Sequence, residues 1–250
     1  MKMKIFFGTD GWRALNGSQI NEVSVAVIAQ AFSDYLLGKN RTPVVAVGYD
    51  SRENSELFAN IFAQVLSGNM IKVYLSDSII PTPVLSYKVL ESGCDAGVMI
   101  TASHNPKEYN GYKAYWDDGA QVLAPHDKGI IDEVNKIASA ADIKFEGNKD
   151  LIVTIGKDVD DVYLEKIKGI SIDPEVIKRQ KDLSIVYTPI HGTGMMLIPR
   201  SLEMWGFENV HCVPEQMVKD GNFPTVVSPN PENAEALTLA INLAKKIDAD

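Results

Sequence analysis

Ser103 stands where a serine is most open to chemistry. It lies in Thr101-Ala102-Ser103-His104-Asn105-Pro106-Lys107-Glu108-Tyr109-Asn110-Gly111-Tyr112-Lys113, directly after the apolar run Ala96 to Ile100, which reads as a buried strand. A hydroxyl at that junction sits beyond the carboxyl end of a strand, the place where open α/β sheets gather ligands. Ser, Asn and Pro are also ordinary loop residues, so residue types alone allow a well-capped turn as well. A serine-hydrolase reading fails, because Ser103 lacks the Gly-x-Ser-x-Gly elbow. Neighbours in an extended chain point apart, so Ser103 and His104 are not expected to act as a nucleophile pair.

Other segments place charge or glycine at strand ends. Gly8-Thr9-Asp10-Gly11-Trp12-Arg13 ends in a fixed cation but, taken alone, reads as an ordinary turn. Gly48-Tyr49-Asp50-Ser51-Arg52 follows the strand-like Pro43 to Val47 and either presents charge to a crevice or forms a surface Asp-Arg pair. Thr188-Pro189-Ile190-His191-Gly192-Thr193-Gly194 follows the strand-like Leu183 to Tyr187 and reads as a plain tight turn or as an anion-binding turn built from backbone N–H groups. Asp220-Gly221-Asn222-Phe223-Pro224 and Ser228-Pro229-Asn230-Pro231-Glu232 form a proline-punctuated connector without helical period.

The elements that carry these loops alternate. Val25, Ile28, Phe32, Tyr35 and Leu36 recur at helical spacing and end at Gly38. Phe58, Ile61, Phe62, Val65 and Leu66 mark a second helix, with Ser55 as its expected cap and Gly68 as its stop. Ile71 to Leu75 reads as a strand, and Thr82-Pro83 as the N-cap and first turn of a helix toward Glu91. A strand over Asp95 to Thr101 follows. Tyr112, Ala114 and Trp116 alternate with Lys113 and Tyr115, which puts Lys113 on the opposite face. Ile130, Val134, Ile137 and Ala138 form a helical stripe after Pro125, and Leu151 to Ile155 a strand. Asp158 is the expected cap of a helix carrying Val159, Val162, Tyr163 and Ile167. Asn209 to Val213 is a further strand, and Ala236, Leu239, Ala240 and Leu243 begin the last helix. Strands alternating with helices make the fold class α/β: two successive α/β/α domains with mostly parallel mixed sheets, over 1–156 and 157–250.

Composition narrows the function. The chain has 250 residues, a net charge of −9, 45% hydrophobic and 23% charged residues, values of a globular domain. That charge argues against a general nucleic-acid surface, which needs clustered Lys and Arg, although an acidic protein still binds phosphate in a local basic pocket. Cys94 and Cys212 are too few and too far apart for a disulfide framework or a zinc pattern, so both are expected as buried thiols in a reducing cytosol. No window resembles a membrane span or a secretory h-region, and the expected location is cytoplasmic. His126 in a loop and His211 in a strand are expected to be structural.

In order along the chain, these segments resemble the alpha-D-phosphohexomutases, the phosphoglucomutase and phosphomannomutase family. Thr101 to Pro106 is similar to its phosphoserine loop, Thr-[Ala/Gly]-Ser-His-Asn-Pro, and Phe6 to Arg13 to its opening Phe-Gly-Thr-x-Gly-x-Arg. Gly48 to Arg52, Thr188 to Gly194, Asp220 to Pro224 and Pro229 to Glu232 resemble further segments of it. The resemblance implies an isomerase that interconverts hexose 1-phosphate and hexose 6-phosphate through a phosphoserine. Ser103 would store the phosphoryl group, Lys113 would be the general acid/base, and Arg13 and His104 would support the charge. Thr9, Arg52, Asn105, Lys107, His191 and Gly192 would contact phosphate or sugar. An ordinary lysine titrates near about 10.4, so Lys113 would have to be perturbed to accept a proton at neutral pH.

The resemblance also implies Mg2+, bound by an oxygen of the Ser103 phosphate and by three aspartates of an Asp-x-Asp-x-Asp-Arg loop, with glucose 1,6-bisphosphate or the corresponding hexose bisphosphate as intermediate or activator. That aspartate loop does not occur in the 250 residues, since Asp248-Ala249-Asp250 closes a helix. The expectation is an N-terminal half of a mutase whose second domain stops before the metal loop. The alternative is an isolated, catalytically incompetent module that binds a partner or dimerises through an exposed second domain. The expected ligand is a small sugar phosphate, with no nucleic-acid or membrane partner.

Overall fold

The structure is a computed structural model describing residues 11–250. Thr9, with the Phe6 to Asp10 part of the opening segment, lies outside the described residues. The chain divides into two compact units. The first holds the described residues up to Asp50, then Asn54–Ala102 and Glu108–Gly156; the second holds Ser51–Glu53, Ser103–Lys107 and Lys157–Asp250.

The strands and α-helices of the first unit are β1 (Trp12–Leu15), α1 (Glu22–Leu37), β2 (Val44–Tyr49), α2 (Ser55–Gly68), β3 (Lys72–Ser76), α3 (Thr82–Glu91), β4 (Ala96–Ile100), β5 (Tyr109–Trp116), α4 (His126–Val134) and β6 (Ile152–Ile155), among the described residues. Its sheet runs in the order β1-β5-β4-β2-β3-β6. β2 pairs in parallel with β3 and β4, and β3 with β6, whereas β5 is antiparallel to both β4 and β1. The change of direction follows from the connections. Helices cross over between the parallel strands, but only the serine loop joins β4 to β5, and so short a link returns the chain antiparallel.

Apolar side chains cover both sheet faces, which explains why β2 and β4 are almost continuously apolar and not alternating. One face is closed by Phe32 of α1 and Phe62 of α2 over Tyr112 of β5. Phe62 stacks on Tyr112 at 5.5 Å and 16°, and Phe32 meets both rings edge-on at 5.8 and 6.3 Å. Each such pair contributes about 0.5–1.5 kcal/mol beyond the area it buries. Burial also pushes the Tyr112 phenol well above its usual pKa.

The second unit comprises α5 (Lys157–Lys168), α6 (Pro174–Arg179), β7 (Ile185–Tyr187), α7 (Gly194–Trp205), β8 (Val210–Cys212) and α8 (Thr238–Ile247). β7 and β8 form a parallel pair. Arg200 of α7 ties that helix to α5 through Asp161 and, at 3.9 Å, Asp160. The α/β class and the mostly parallel mixed sheet read from the sequence are what the structure shows.

Several local expectations are corrected. Ser55 is the first residue of α2 and not its cap; Asn54 holds that place with a left-handed backbone, φ 65°. Ser55 instead directs its hydroxyl to Asp50. Pro81 precedes α3, so Thr82 is its first residue, and α5 begins at Lys157, with Asp158 inside the first turn. α4 stops at Val134, leaving Ile137 and Ala138 outside it. His126 opens α4, stacked on Trp116 at 3.8 Å with Nδ1 3.0 Å from the Tyr35 hydroxyl. Cys94 is buried, and burial lifts its thiol to about 11, but Cys212 is half-buried.

One glycine decides how β5 fits its neighbours. A Cβ on Gly111 would stand 2.5 Å from the Trp12 carbonyl oxygen and 2.6 Å from that of Thr101. Backbone lies on both sides, so no side chain can turn aside. Gly111→Ala is therefore expected to destabilise the first unit by about 1–3 kcal/mol, read as a lower urea midpoint with an unchanged m-value.

Candidate active site

The first unit puts two of the expected cations on one face. Arg13 lies opposite Gly111 in the β1–β5 ladder, and Lys113, two residues further along β5, lies opposite Met99 of β4. Directly paired residues and residues two apart share a face, so Arg13 and Lys113 project from the same side of the sheet. Both are half-buried.

The strand ends beside them are tied by a buried polar chain. Asp50, 8% exposed, accepts from the Ser55 hydroxyl at 2.8 Å and from the Thr101 hydroxyl at 2.6 Å. Ser55 Oγ in turn accepts from Asn110 Nδ2 at 3.0 Å, and Asn110 Oδ1 accepts from the Gly111 amide at 2.7 Å. Thr101 N donates to the Gly111 carbonyl at 3.0 Å. The chain thus fixes the residues on both flanks of the serine loop, Thr101 before it and Asn110 after it.

Ser103 belongs to the second unit and is exposed. Its φ is 58°, the left-handed region that costs a non-glycine residue about 1–2 kcal/mol. This corrects the extended-chain argument: with the backbone turned, Ser103 Oγ lies 3.3 Å from His104 Nδ1. His104 and Lys107 are exposed, and Asn105 is half-buried.

Arg52 holds the loop from below. It is 3% exposed, with Nη1 donating to the Pro106 carbonyl at 2.9 Å and Nη2 to the carbonyls of Ser103 at 2.9 Å and Asn105 at 2.6 Å. Arg52, expected to contact phosphate or sugar, directs its guanidinium at loop backbone. Its other face meets the Phe223 ring, 5.4 Å from the centroid. The residue carrying that ring, Phe223, is itself left-handed at φ 48°. A Cβ on Gly221 would run into the Glu53 nitrogen and stand 2.9 Å from the Arg52 carbonyl carbon, so a glycine is needed where this connector passes the arginine backbone.

His191 supports the connector. It is 1% exposed; Nδ1 is 2.9 Å from the Val218 carbonyl, Nε2 is 2.9 Å from Thr225 Oγ1, and the ring meets Phe223 edge-on at 6.4 Å. The carbonyl can only accept, so Nδ1 carries a proton. Gln216 completes the set, donating to Thr225 Oγ1 at 3.0 Å and accepting from Thr188. His191, expected to contact phosphate or sugar, is a buried ring with both nitrogens engaged. The Gly192 amide is occupied by the Pro189 carbonyl at 2.8 Å, so it too is committed to the turn.

Comparison with known proteins follows the same division. A sequence model described as phosphoglucomutase/phosphomannomutase, alpha/beta/alpha domain I, matches residues 4–141, and domain II of the same family matches residues 161–250. The chain belongs to the phosphoglucomutase/phosphomannomutase family. It is 38% identical over 234 residues to a Haemophilus influenzae protein named as a probable phosphomannomutase, covering 92% of this chain and 47% of that protein. A phosphoglucomutase of Staphylococcus haemolyticus is 37% identical over 254 residues, covering 99% and 46%. A Thermus thermophilus crystal structure with a provisional phosphomannomutase name superposes with a TM-score of 0.85 at 26% identity, covering 97% of this chain and 52% of that one. The chain thus spans about half the length of the curated relatives it matches.

For a family member, the donor set for a metal is the next question. Among the described residues no group of three or more His, Cys, Asp or Glu is arranged to hold an ion. These residues do not by themselves fit Mg2+, and no reaction step below passes through it. Among the same residues no helix is long and apolar enough to cross a membrane.

Sequence reasoning missed how this phosphohexomutase chain anchors its serine loop. The signal was an arginine two residues after Asp50, but the partners named here are carbonyl oxygens, which every residue type carries. The Asp50 chain is separately testable. Thr101→Val removes a donor from a buried carboxylate and is expected to cost about 1–3 kcal/mol; Thr101→Ser should restore most of it, with both read by urea unfolding.

Proposed function

We propose that this chain is the phosphoserine-bearing portion of a phosphohexomutase that interconverts hexose 1-phosphate and hexose 6-phosphate. The observation that carries the reading is Ser103: an exposed hydroxyl at the end of β4, in a clamped left-handed turn, within a chain matched by the family over both domains. A hydroxyl held outward on a fixed backbone suits a group that must receive and return a phosphoryl group from two directions.

The transfer balances simply. The free hydroxyl of a hexose monophosphate attacks the phosphorus of phospho-Ser103; the new P–O bond forms as the P–Oγ bond breaks, and the hydroxyl proton passes to a base. Ser103 Oγ takes up a proton to become the neutral serine. The hexose bisphosphate then turns about, and Ser103 recovers a phosphoryl group from the other position, with each proton returning by the reverse path. The proton partner is proposed to be Lys113, and the cations Arg13 and Lys107 are proposed to offset phosphate charge, because catalysis of phosphoryl transfer is mostly positioning and electrostatic stabilisation. His104, next to the hydroxyl, and Asn105 are proposed to contact phosphate or sugar. A small sugar phosphate is the proposed ligand, and the cytoplasm the proposed location.

In the full-length protein, Ser103→Ala is expected to abolish mutase turnover in a coupled hexose 1-phosphate assay while leaving the thermal midpoint unchanged. Undiminished turnover would remove the phosphoserine from the mechanism. Lys113→Gln should lower kcat by about 10²–10⁴-fold, the range for loss of a general acid/base. A rise in KM with kcat intact would make Lys113 a binding residue instead.

A further inference from the structure

We propose that Arg52 is a positioning residue for Ser103, acting through the loop backbone and held in place by Phe223. The inference rests on the phosphoserine reading and deepens it. Its starting point is the direction of the arginine's hydrogen bonds: both Nη atoms reach the carbonyls of Ser103, Asn105 and Pro106 at 2.6–2.9 Å. A planar guanidinium fixes its donors in a rigid fork. Three carbonyls gathered by one fork have little freedom to rotate independently.

Peptide planarity carries the constraint to the upper side of the loop. In a trans peptide the C=O and the following N–H point in opposite directions. With the Ser103 and Pro106 carbonyls drawn to Arg52, the amides of His104 and Lys107 are aimed away from it. N–H groups aimed to one side of a loop are donors an anion can use. Arg52 therefore sets both the left-handed turn of Ser103 and the aim of the amides beside it, without itself reaching an exposed ligand at 3% exposure.

Phe223 completes the device. Its ring covers the guanidinium at 5.4 Å, is buried at 4% exposure, and is braced edge-on by His191. A phenylalanine at φ 48° is rare and costly, and the Asp220 carbonyl, accepting from Phe223 N at 3.1 Å, closes the tight turn that leads into it. The strained turn places the ring over the arginine.

The test compares Arg52→Lys, Arg52→Ala and Phe223→Leu with Ser103→Ala in the full-length protein. Arg52→Lys keeps the charge but loses the fork. A positioning role predicts a fall in kcat of about tenfold to a hundredfold, the size of effect a 1 Å misplacement produces, with KM for hexose 1-phosphate unchanged within about twofold. Phe223→Leu, which keeps the arginine, should move kcat the same way by a smaller factor, and it decides the matter if Arg52→Ala fails to fold. Hydrogen exchange provides the readout independent of turnover: peptides covering 101–110 should exchange at least about tenfold faster in Arg52→Lys, while those covering β7 and α7 keep the parent rate. Wild-type kcat in Arg52→Lys, a KM rise equal to the kcat fall, or unchanged exchange over 101–110 would each overturn the proposal. If Ser103→Ala itself turns over, the phosphoserine reading fails first; if it is dead while Arg52→Lys is fully active, this inference alone falls.

Discussion

A buried guanidinium under an exposed serine is the constraint on which the rest of the candidate site depends. Arg52 carries a full charge at 3% exposure, an arrangement that costs several kcal/mol unless polar partners replace water. Three of those partners are backbone carbonyls of the serine loop, so folding the loop and solvating the cation are one event. Loosening the loop would strip the guanidinium of acceptors, and removing the guanidinium would leave three gathered carbonyl dipoles facing one another. The carboxylate two residues away, Asp50, is engaged by hydroxyls of the first unit: Ser55 and Thr101 point their protons at it.

The division of labour between these two neighbours explains the spacing Asp50-Ser51-Arg52. Asp50 closes the end of β2 against β4, its amide donating to the Ile100 carbonyl at 3.1 Å, while its side chain ties α2 and the entry to the serine loop. Arg52 then takes over the loop itself. One strand end thus serves both the entry and the body of the same loop. The Gly-x-Asp-x-Arg pattern has a mechanical reading that a surface ion pair lacks.

Most of the fold was legible because it is written in side-chain periodicity. The apolar runs of β2 and β4 and the spacing of Val25, Ile28, Phe32 and Leu36 report which faces are buried, and burial is what the sheet and its helices are built to achieve. β1 was not legible: Trp12–Leu15 is four residues long and begins beside Gly11, whose positive φ of 104° reads from sequence as a turn. α6 carried a signal that periodicity does not register, Asp173 capping a helix with proline at its first position. The roles of Arg52 and His191 were illegible for a different reason. Both bind main-chain oxygens, from Ser103, Asn105, Pro106 and Val218, and a carbonyl leaves no trace in residue type. The resemblance reads both as ligand contacts, and both are buried.

The same distinction bears on Ser103 itself. Its left-handed backbone would suit glycine better, and serine there costs about 1–2 kcal/mol. Backbone conformation alone therefore argues against a serine at this point, and the 3.3 Å approach of its hydroxyl to the exposed His104 is a weak return in stability. Its conformation is held from outside, by a buried cation acting on its own carbonyl and on those of Asn105 and Pro106. Strain at functional positions is expected to persist where the surroundings over-determine it. Here the surroundings are Arg52 and Phe223, and the strained residue they present carries the hydroxyl that the phosphoryl-transfer reading requires.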